Sequence, residues 1–294
     1  MINAIHGYIN YLHNIKQVAH NTEISYERDL KTAAVFLQSE GITTPQEVTA
    51  SDLEGYISYL QAEKKSAATI SRHVAALRSF FQYLKDEKII ETDPSSELKP
   101  PKVIKKEPSI LTEEEVDRLL SQPDLHTFKG LRDRAMLELL YATGIRVSEL
   151  IGVRSADVDL ERGYLVIREG KKERFIPFGD STKTALLAYL EHSRDILLGS
   201  RESDYLFTNC SGGTMSRQGF WKVLKGYAAG AGISVDITPH TLRHSFAAHL
   251  INGGADLKSV QAMLGHSDIS TTAMYKNMEI FKLREVYTKA HPRG

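Results

Sequence analysis

Residues 237–275 read ITPHTLRHSFAAHLINGGADLKSVQAMLGHSDISTTAMY and predict a run of short helices. Thr238 and Pro239 favour a helix start, because threonine caps a helix N-terminus and proline fits its first turn. Apolar residues then follow at helical spacing, and Gly253-Gly254 should end the helix. A second helix is expected from about Asp256 to Leu264. Their apolar faces should pack into a core.

Four side chains of this segment suit phosphodiester chemistry. Arg243 is a permanent cation whose planar fork matches phosphate oxygens, and three residues before it His240 shares its helix face. His240 and His266 can move protons near neutral pH. Tyr275 carries a hydroxyl that becomes a nucleophile when a base or cation activates it. Together these groups can hold, attack and protonate a phosphodiester without a metal.

Each of these signals has a simpler interpretation when it is taken alone. A His-x-x-Arg pair on a helix usually lies on a solvent-exposed face. A tyrosine in an amphipathic helix usually packs its ring in the core and leaves its hydroxyl in contact with water. Arg146, which follows a predicted helix end at Gly144, has a possible salt-bridge partner in Glu149. The combination of motifs decides between these interpretations.

Three separated motifs occur in a characteristic order. They are Thr143-Gly144-Ile145-Arg146-Val147-Ser148-Glu149-Leu150, His240-Thr241-Leu242-Arg243, and Leu264-Gly265-His266-Ser267 with Tyr275 nine residues after His266. In this order they resemble the motifs of the tyrosine recombinases, and more closely the bacterial XerC/XerD type. The resemblance covers nearly the whole chain, including the ending Ala290–Gly294.

The resemblance implies a site-specific DNA recombinase that needs no metal, ATP or other cofactor. Arg146 and Arg243 would hold the scissile phosphate, and Tyr275 would attack it to form a 3′-phosphotyrosyl link. His240 would exchange a proton with the tyrosine, and His266 would hold a phosphate oxygen. Two rivals remain open: a DNA-binding accessory protein that has lost turnover, and a relaxing enzyme of the type IB topoisomerase kind.

One position departs from the family pattern. The family hairpin reads Gly-Lys-Gly-x-Lys-x-Arg and its first lysine protonates the leaving oxygen, but residues 168–174 here read REGKKER. The lysine column therefore falls on Glu169. Lys171 lies two residues further, on the same side if strand alternation continues into the turn. We therefore predict Lys171, rather than Lys172, as the acid.

Composition sets wider bounds on function. The chain has 294 residues and a formal net charge of zero, which argues against a simple polybasic nucleic-acid binder. Its single cysteine, Cys210, excludes an intramolecular disulfide and a cysteine-ligated zinc site. We find neither a signal peptide nor a membrane segment, so we expect a cytoplasmic protein.

The predicted fold is mainly α with a small antiparallel sheet. Residues 1–92 should form a four-helix bundle, with a capping box at Ser51–Glu54. Residues 93–110 contain prolines and lysines and read as a basic linker, and residues 111–294 should form an α+β domain opened by a capping box at Thr112–Glu115. A strand pair is expected within Gly163–Phe178, with a third strand at Tyr205–Phe207. The resemblance implies that the first of these is the core-binding domain, which grips DNA, and that the second is the catalytic domain.

The resemblance also implies DNA contacts and partners. Against the simpler interpretation of a solvated surface, we predict DNA contacts by Thr22, Tyr26, Arg72, Arg78, Lys102, Lys105 and Lys106. The partners would be a double-stranded recombination site and a homo- or hetero-tetramer on two sites, with exchange of the C-terminal helix. That helix alternatively packs on its own domain. A second Xer recombinase and an FtsK-type DNA translocase complete the expected partners, for chromosome dimer resolution or mobile-element integration and excision.

Overall fold

A computed structural model of the protein describes residues 1–102, 109–170, 172–265 and 276–294, with backbone alone for 276–281. The chain divides into two units, Met1–Lys106 and Glu107–Gly294. The boundary lies inside the basic segment 93–110. The domain limits at 92 and 111 stay predictions.

Within residues 1–102, the first unit contains four long helices. They are α1 (Ile2–Tyr11), α2 (His20–Ser39), α3 (Ala50–Ala62) and α4 (Ala67–Asp86), with a π-helical turn at Leu12–Lys16 and a 3-10 turn at Pro45–Glu47. The amide of Asp52 donates to the hydroxyl of Thr49 at 3.4 Å, and the amide of Thr49 donates to the Asp52 carboxylate at 2.8 Å. The capping box predicted at Ser51–Glu54 is therefore wrong. It lies two residues earlier, with Thr49 in place of Ser51 and Asp52 in place of Glu54.

The apolar faces of these helices meet in one core. Ile90 and Leu98 belong to it, although they follow the last helix. The first residues of the predicted linker thus pack against the bundle instead of leaving it. The other buried members include Leu30, Leu37, Leu53, Tyr56, Leu77 and Phe80.

The second unit surrounds a hairpin with helices. Before the hairpin come α5 (Glu113–Leu120), α6 (Phe128–Thr143) and α7 (Val147–Gly152). After it come α8 (Asp180–Tyr189), a π-helical turn at Leu190–Arg194, α9 (Asp195–Leu198), α10 (Arg217–Gly230), α11 (Pro239–Asn252), α12 (Leu257–Leu264) and α13 (Lys276–Ala290). The Thr112–Glu115 capping box is confirmed, since the Glu115 amide donates to the Thr112 hydroxyl at 3.2 Å.

Within the described residues the sheet has three strands, in the order β1 (Val158–Asp159), β2 (Tyr164–Glu169) and β3 (Lys172–Pro177). Both pairings are antiparallel, and β2 and β3 form the predicted hairpin. The third strand predicted at Tyr205–Phe207 is wrong. Tyr205 makes only an isolated bridge to Arg154, and Leu206 and Phe207 are buried in the helical core, so their apolar pattern reflects burial rather than strand pairing.

The C-terminal residues pack on their own unit. Tyr287, Ala290 and His291 are buried, and the imidazole of His291 stacks on the ring of Tyr287. Arg293 donates to Asp117 at 2.6 Å. Of the two placements considered for this segment, the single chain adopts the one on its own domain. In the described part of the chain, no helix combines the length and apolarity that crossing a bilayer requires.

We expect Gly144→Ala to destabilise the second unit. Gly144 has a φ of +58°, and a Cβ there would lie 2.2 Å from Cδ1 of Phe246. Left-handed strain and overpacking together should cost about 3 kcal/mol. Urea unfolding measures this loss.

Gly226→Ala is the matched control, because it lies inside α10 with nothing within 4 Å of a Cβ. That variant should be equally stable or more stable, by about 0.5–1 kcal/mol. Equal urea midpoints for Gly144→Ala and the unaltered protein would contradict the expected strain.

Candidate active site

Arg146 stands where α6 passes into α7. Gly144 ends α6 in the left-handed conformation, which turns the chain so that Arg146 becomes the N-terminal cap of α7. Its amide donates to Oε2 of Glu149 at 2.7 Å, and its Nη1 donates to Oε1 at 3.0 Å. The side chain remains 36% exposed. The salt bridge with Glu149 is therefore present, and the guanidinium is still accessible to a phosphate.

Arg243 lies on α11 and is only 6% exposed. Its Nη1 donates to the carbonyl of Gly144 at 2.6 Å, and its Nη2 to the carbonyl of Leu264 at 2.7 Å. Both carbonyls belong to helix C-termini, which leave backbone oxygens without helical partners. Burial, followed by the charge of Arg146, lowers the pKa of this guanidinium to about 10, although Glu149 opposes the shift. The group is thus a partly desolvated cation, beside which a bound anion is favoured.

Arg174 is a third arginine of this site, and the sequence interpretation missed its role. Its Nε donates to the carbonyl of Met263 at 3.0 Å and its Nη2 to Oε2 of Glu149 at 2.8 Å. Arg174 contributes to the lowered pKa of Arg243, so the two charges are close. The signal was the final arginine of the family hairpin pattern, which falls on Arg174. We refer to Arg146, Arg174 and Arg243 as the arginine cluster.

His240 lies in the first turn of α11 and is exposed, whereas Arg243 one turn later is buried. The Thr241 amide donates to the Thr238 hydroxyl at 3.3 Å, which confirms the predicted helix start. The remaining predicted catalytic residues, Lys171, His266 and Tyr275, lie outside the described residues.

Glu169 ends β2 and pairs with Lys172 at the end of the hairpin. Its Oε2 lies 3.9 Å from Nη1 of Arg146, and its side chain is 74% exposed. Gly170 follows it with a φ of +61° and helps to turn the chain. A carboxylate thus stands at the open side of the arginine cluster, where it attracts Arg146 and repels a phosphate.

The predicted DNA contacts of the first unit differ in their surroundings. Arg72 donates from Nε and Nη2 to the buried carboxylate of Asp29, at 2.6 and 2.9 Å. Tyr26 is partly buried and packs against the core, while Arg78 is exposed. Thr22 is half-buried and Lys102 is exposed, and Lys105 and Lys106 lie outside the described residues. Asp29 fixes the orientation of Arg72, which the sequence interpretation did not foresee.

Comparison with known proteins identifies the family. Residues 109–280 match the phage integrase family, and residues 5–88 match the phage integrase N-terminal SAM-like domain. The chain belongs to the phage integrase family. It is 43% identical to the tyrosine recombinase XerD of Listeria monocytogenes serotype 4b (strain F2365), over 100% of both chains. It is also 44% identical to the tyrosine recombinase XerD of Oceanobacillus iheyensis, over 99% of both.

Solved structures with a similar fold support the architecture. A lambda integrase tetramer bound to a Holliday junction matches with a TM-score of 0.70 and 20% identity, over 93% of this chain and 76% of that one. The Tn1549 transposon integrase in complex with circular intermediate DNA matches with a TM-score of 0.69 and 20% identity, over 94% and 98%. The predicted tyrosine recombinase family and the mainly helical fold with a small antiparallel sheet are confirmed.

We expect Glu169→Gln to tighten DNA binding by this phage integrase family member. The change removes a charge that competes with phosphate for Arg146 while keeping the side-chain shape. Because the pair is exposed, the gain should be at most about 1 kcal/mol, or roughly 5-fold in Kd. Fluorescence anisotropy with duplex DNA at low salt measures it.

Glu161→Gln is the matched control, since Glu161 is an exposed glutamate beyond the opposite end of the same hairpin. Its Kd should not change. An unchanged Kd for Glu169→Gln would show that this carboxylate does not compete with DNA.

Proposed function

We propose that this chain is a site-specific recombinase that cuts and rejoins DNA through a 3′-phosphotyrosyl intermediate on Tyr275. The observation that carries the proposal is the arginine cluster, which gathers Arg146 and Arg243 from distant parts of the sequence around one anion-binding position. Full-length similarity to proteins named tyrosine recombinase XerD supports the same activity.

Arg146 and Arg243 hold the non-bridging oxygens of the scissile phosphate. Negative charge grows on these oxygens in the transition state, and fixed guanidinium donors stabilise it without reorganising at the moment of reaction. Each donor is expected to contribute roughly 3 kcal/mol, by analogy with the removal of a donor from an oxyanion hole. The partial burial of Arg243 strengthens its interaction, because less water screens the charge.

The roles of the other four site residues follow from the bonds that form and break during cleavage. The hydroxyl oxygen of Tyr275 attacks phosphorus and passes its proton to His240, while His266 holds a phosphate oxygen. The bond from phosphorus to the 5′-oxygen breaks, and Lys171 protonates that oxygen. One phosphodiester is exchanged for another, so the strand that later attacks the phosphotyrosine needs no external energy source.

A second candidate function is a DNA-binding accessory protein without turnover. Glu169 favours it, because a carboxylate within 3.9 Å of Arg146 occupies the position of the family's lysine. Such a protein would bind the recombination site and form no covalent link. The nucleophile experiment below separates the two candidates.

The biological setting is proposed from the same relatives. Four protomers, of one or two kinds, would act on two DNA sites and exchange C-terminal helices, with a second Xer recombinase and an FtsK-type DNA translocase as further partners in the cytoplasm. The lambda integrase structure, a tetramer on a Holliday junction, supports the assembly. Chromosome dimer resolution and mobile-element integration or excision both remain compatible with these partners.

The first unit would grip one side of the DNA. Arg72 and Arg78, with Thr22 and Tyr26, would contact backbone or groove, and the linker lysines Lys102, Lys105 and Lys106 would contact phosphates. Contacts of this type set the register of a protein on its duplex without reading the sequence. Protection of genomic fragments from nuclease would identify the recombination site, which the next two experiments use.

We expect Tyr275→Phe to abolish cleavage while leaving DNA binding within about 2-fold, since phenylalanine keeps the ring and loses one hydroxyl. A nicked suicide duplex traps the covalent adduct, which denaturing gels resolve. Tyr205→Phe, on the same unit, should form adduct normally. Adduct formation by Tyr275→Phe would assign the nucleophile elsewhere, and no adduct with the unaltered protein would favour the accessory protein.

We expect Lys171→Ala to slow cleavage of normal DNA by roughly 10²–10⁴, the range for general acid catalysis. Sulfur in place of the bridging 5′-oxygen gives a leaving group that needs little protonation, so the variant should cleave that substrate almost normally. Cleavage rates on the two substrates provide the comparison. Lys172→Ala is the matched control and should leave both rates unchanged.

An exchange of behaviour between the two lysines would reassign the acid to Lys172. If neither lysine matters and Glu169→Lys accelerates cleavage sharply, this chain has lost the acid, and the accessory function gains support.

A further inference from the structure

Arg174 joins two parts of the active site that are distant in sequence. It lies on β3 with only 13% of its side chain exposed, and its guanidinium points two ways. On one side Nη2 donates to Oε2 of Glu149 at 2.8 Å, and on the other Nε donates to the carbonyl of Met263 at 3.0 Å. The hairpin is thereby tied to α7 and to the last turn of α12.

The contacts continue from Arg174 to both phosphate-binding arginines. On one side, Glu149 also accepts from the amide and from Nη1 of Arg146. On the other side, the residue after Met263 is Leu264, whose carbonyl accepts from Arg243 at 2.7 Å. Nη1 of Arg243 then returns to the carbonyl of Gly144, two residues before Arg146. The three arginines are thus linked in one closed path of hydrogen bonds and short backbone segments.

The contact at the end of α12 is close and specific. Gly265 has a φ of +73°, and a Cβ there would lie 3.1 Å from Nη1 of Arg174. The carbonyls of a last helical turn lack helical donors, and the helix C-terminus favours a cation. The planar fork of arginine donates in two fixed directions, which the single ammonium of lysine does not reproduce.

We propose that Arg174 is a positioning residue that sets the separation and orientation of Arg146 and Arg243, so that both reach the same scissile phosphate. Arg174 itself acts through Glu149 and the Met263 carbonyl. The inference rests on the proposed recombinase function. Because a displacement of about 1 Å can cost roughly 10²-fold in rate, loss of this link affects the chemical step more than DNA binding.

The first test compares Arg174→Lys and Arg174→Met with the unaltered full-length chain. Adduct formation in a single turnover at saturating DNA should slow by roughly 10–10²-fold in both variants, as expected for a misplaced catalytic group. The Kd for the same DNA should change less than about 3-fold, because Arg174 acts through Glu149 and the Met263 carbonyl and does not itself bind the phosphate. Lysine should not rescue the rate, since it restores the charge but not the two directions of donation.

A second readout reports on the phosphate contact itself. A methylphosphonate at the scissile position replaces one non-bridging oxygen by methyl, and its two diastereomers remove different oxygens. Arg146→Ala should be least impaired on the diastereomer that lacks the oxygen Arg146 binds. Arg174→Met should show the same preference, because Arg146 loses its support through Glu149, whereas Arg243 keeps its own acceptors, the carbonyls of Gly144 and Leu264. A purely structural defect would be equal on both diastereomers.

Arg194→Met is the matched control. Arg194 is similarly buried, with 15% of its side chain exposed, and it also donates to backbone carbonyls, those of Leu206 and Ser203, in a different part of the unit. It should lower the melting temperature without a diastereomer preference.

The proposal is overturned if Arg174→Met slows adduct formation no more than Arg194→Met, or slows both diastereomers equally. If the unaltered chain forms no adduct at all, the recombinase function fails together with the positioning role. If the unaltered chain and Arg174→Met both form adduct at the normal rate, the positioning role is wrong and the recombinase function still stands.

Discussion

The hydrogen bonds from Arg243 to the carbonyls of Gly144 and Leu264 determine whether this active site exists. A buried cation requires partners, and among them here are backbone oxygens at the ends of α6 and α12. These two bonds form only when both helices have packed against α11. Formation of the site and folding of the catalytic unit are consequently one event, and the catalytic geometry inherits the rigidity of the helical core.

Electrostatics then set how strongly the site attracts DNA. The cluster places three guanidinium groups near each other, and Glu149 neutralises part of their repulsion by pairing with both Arg146 and Arg174. Glu169 adds a second carboxylate, 3.9 Å from Arg146. Since both carboxylates lie beside Arg146, part of the attraction that this arginine offers to a phosphate is already offset. Arg243 is instead distinguished by its burial, which is the main cause of its lowered pKa.

The sequence predicted what local signals control and missed what depends on distant partners. The helix start at Thr238, the left-handed turn at Gly144 and the β2–β3 hairpin follow from capping, glycine and alternation, which act over a few residues. The roles of Arg174 and Asp29 were not foreseen. The hairpin pattern marks an arginine at position 174, but its contacts to Glu149 and Met263, like the contact of Asp29 to Arg72, join segments that are far apart in the sequence. The strand predicted at Tyr205–Phe207 failed for a related reason: a short apolar run reads the same whether it is paired in a sheet or buried among helices.

Packing of the C-terminal segment bears on the proposed exchange between protomers. In the single chain the rings of Tyr141, Phe246 and Tyr287 surround His291, and Arg293 pairs with Asp117. Exchange within a closed ring of protomers re-forms each of these contacts on a neighbour, so their energies nearly cancel between the two arrangements. The equilibrium between the two arrangements then depends on the conformational entropy that the chain loses on exchange and on the local concentration of protomers. DNA that holds protomers side by side would raise this concentration, so the proposed exchange is expected on the assembled recombination site rather than in the free chain.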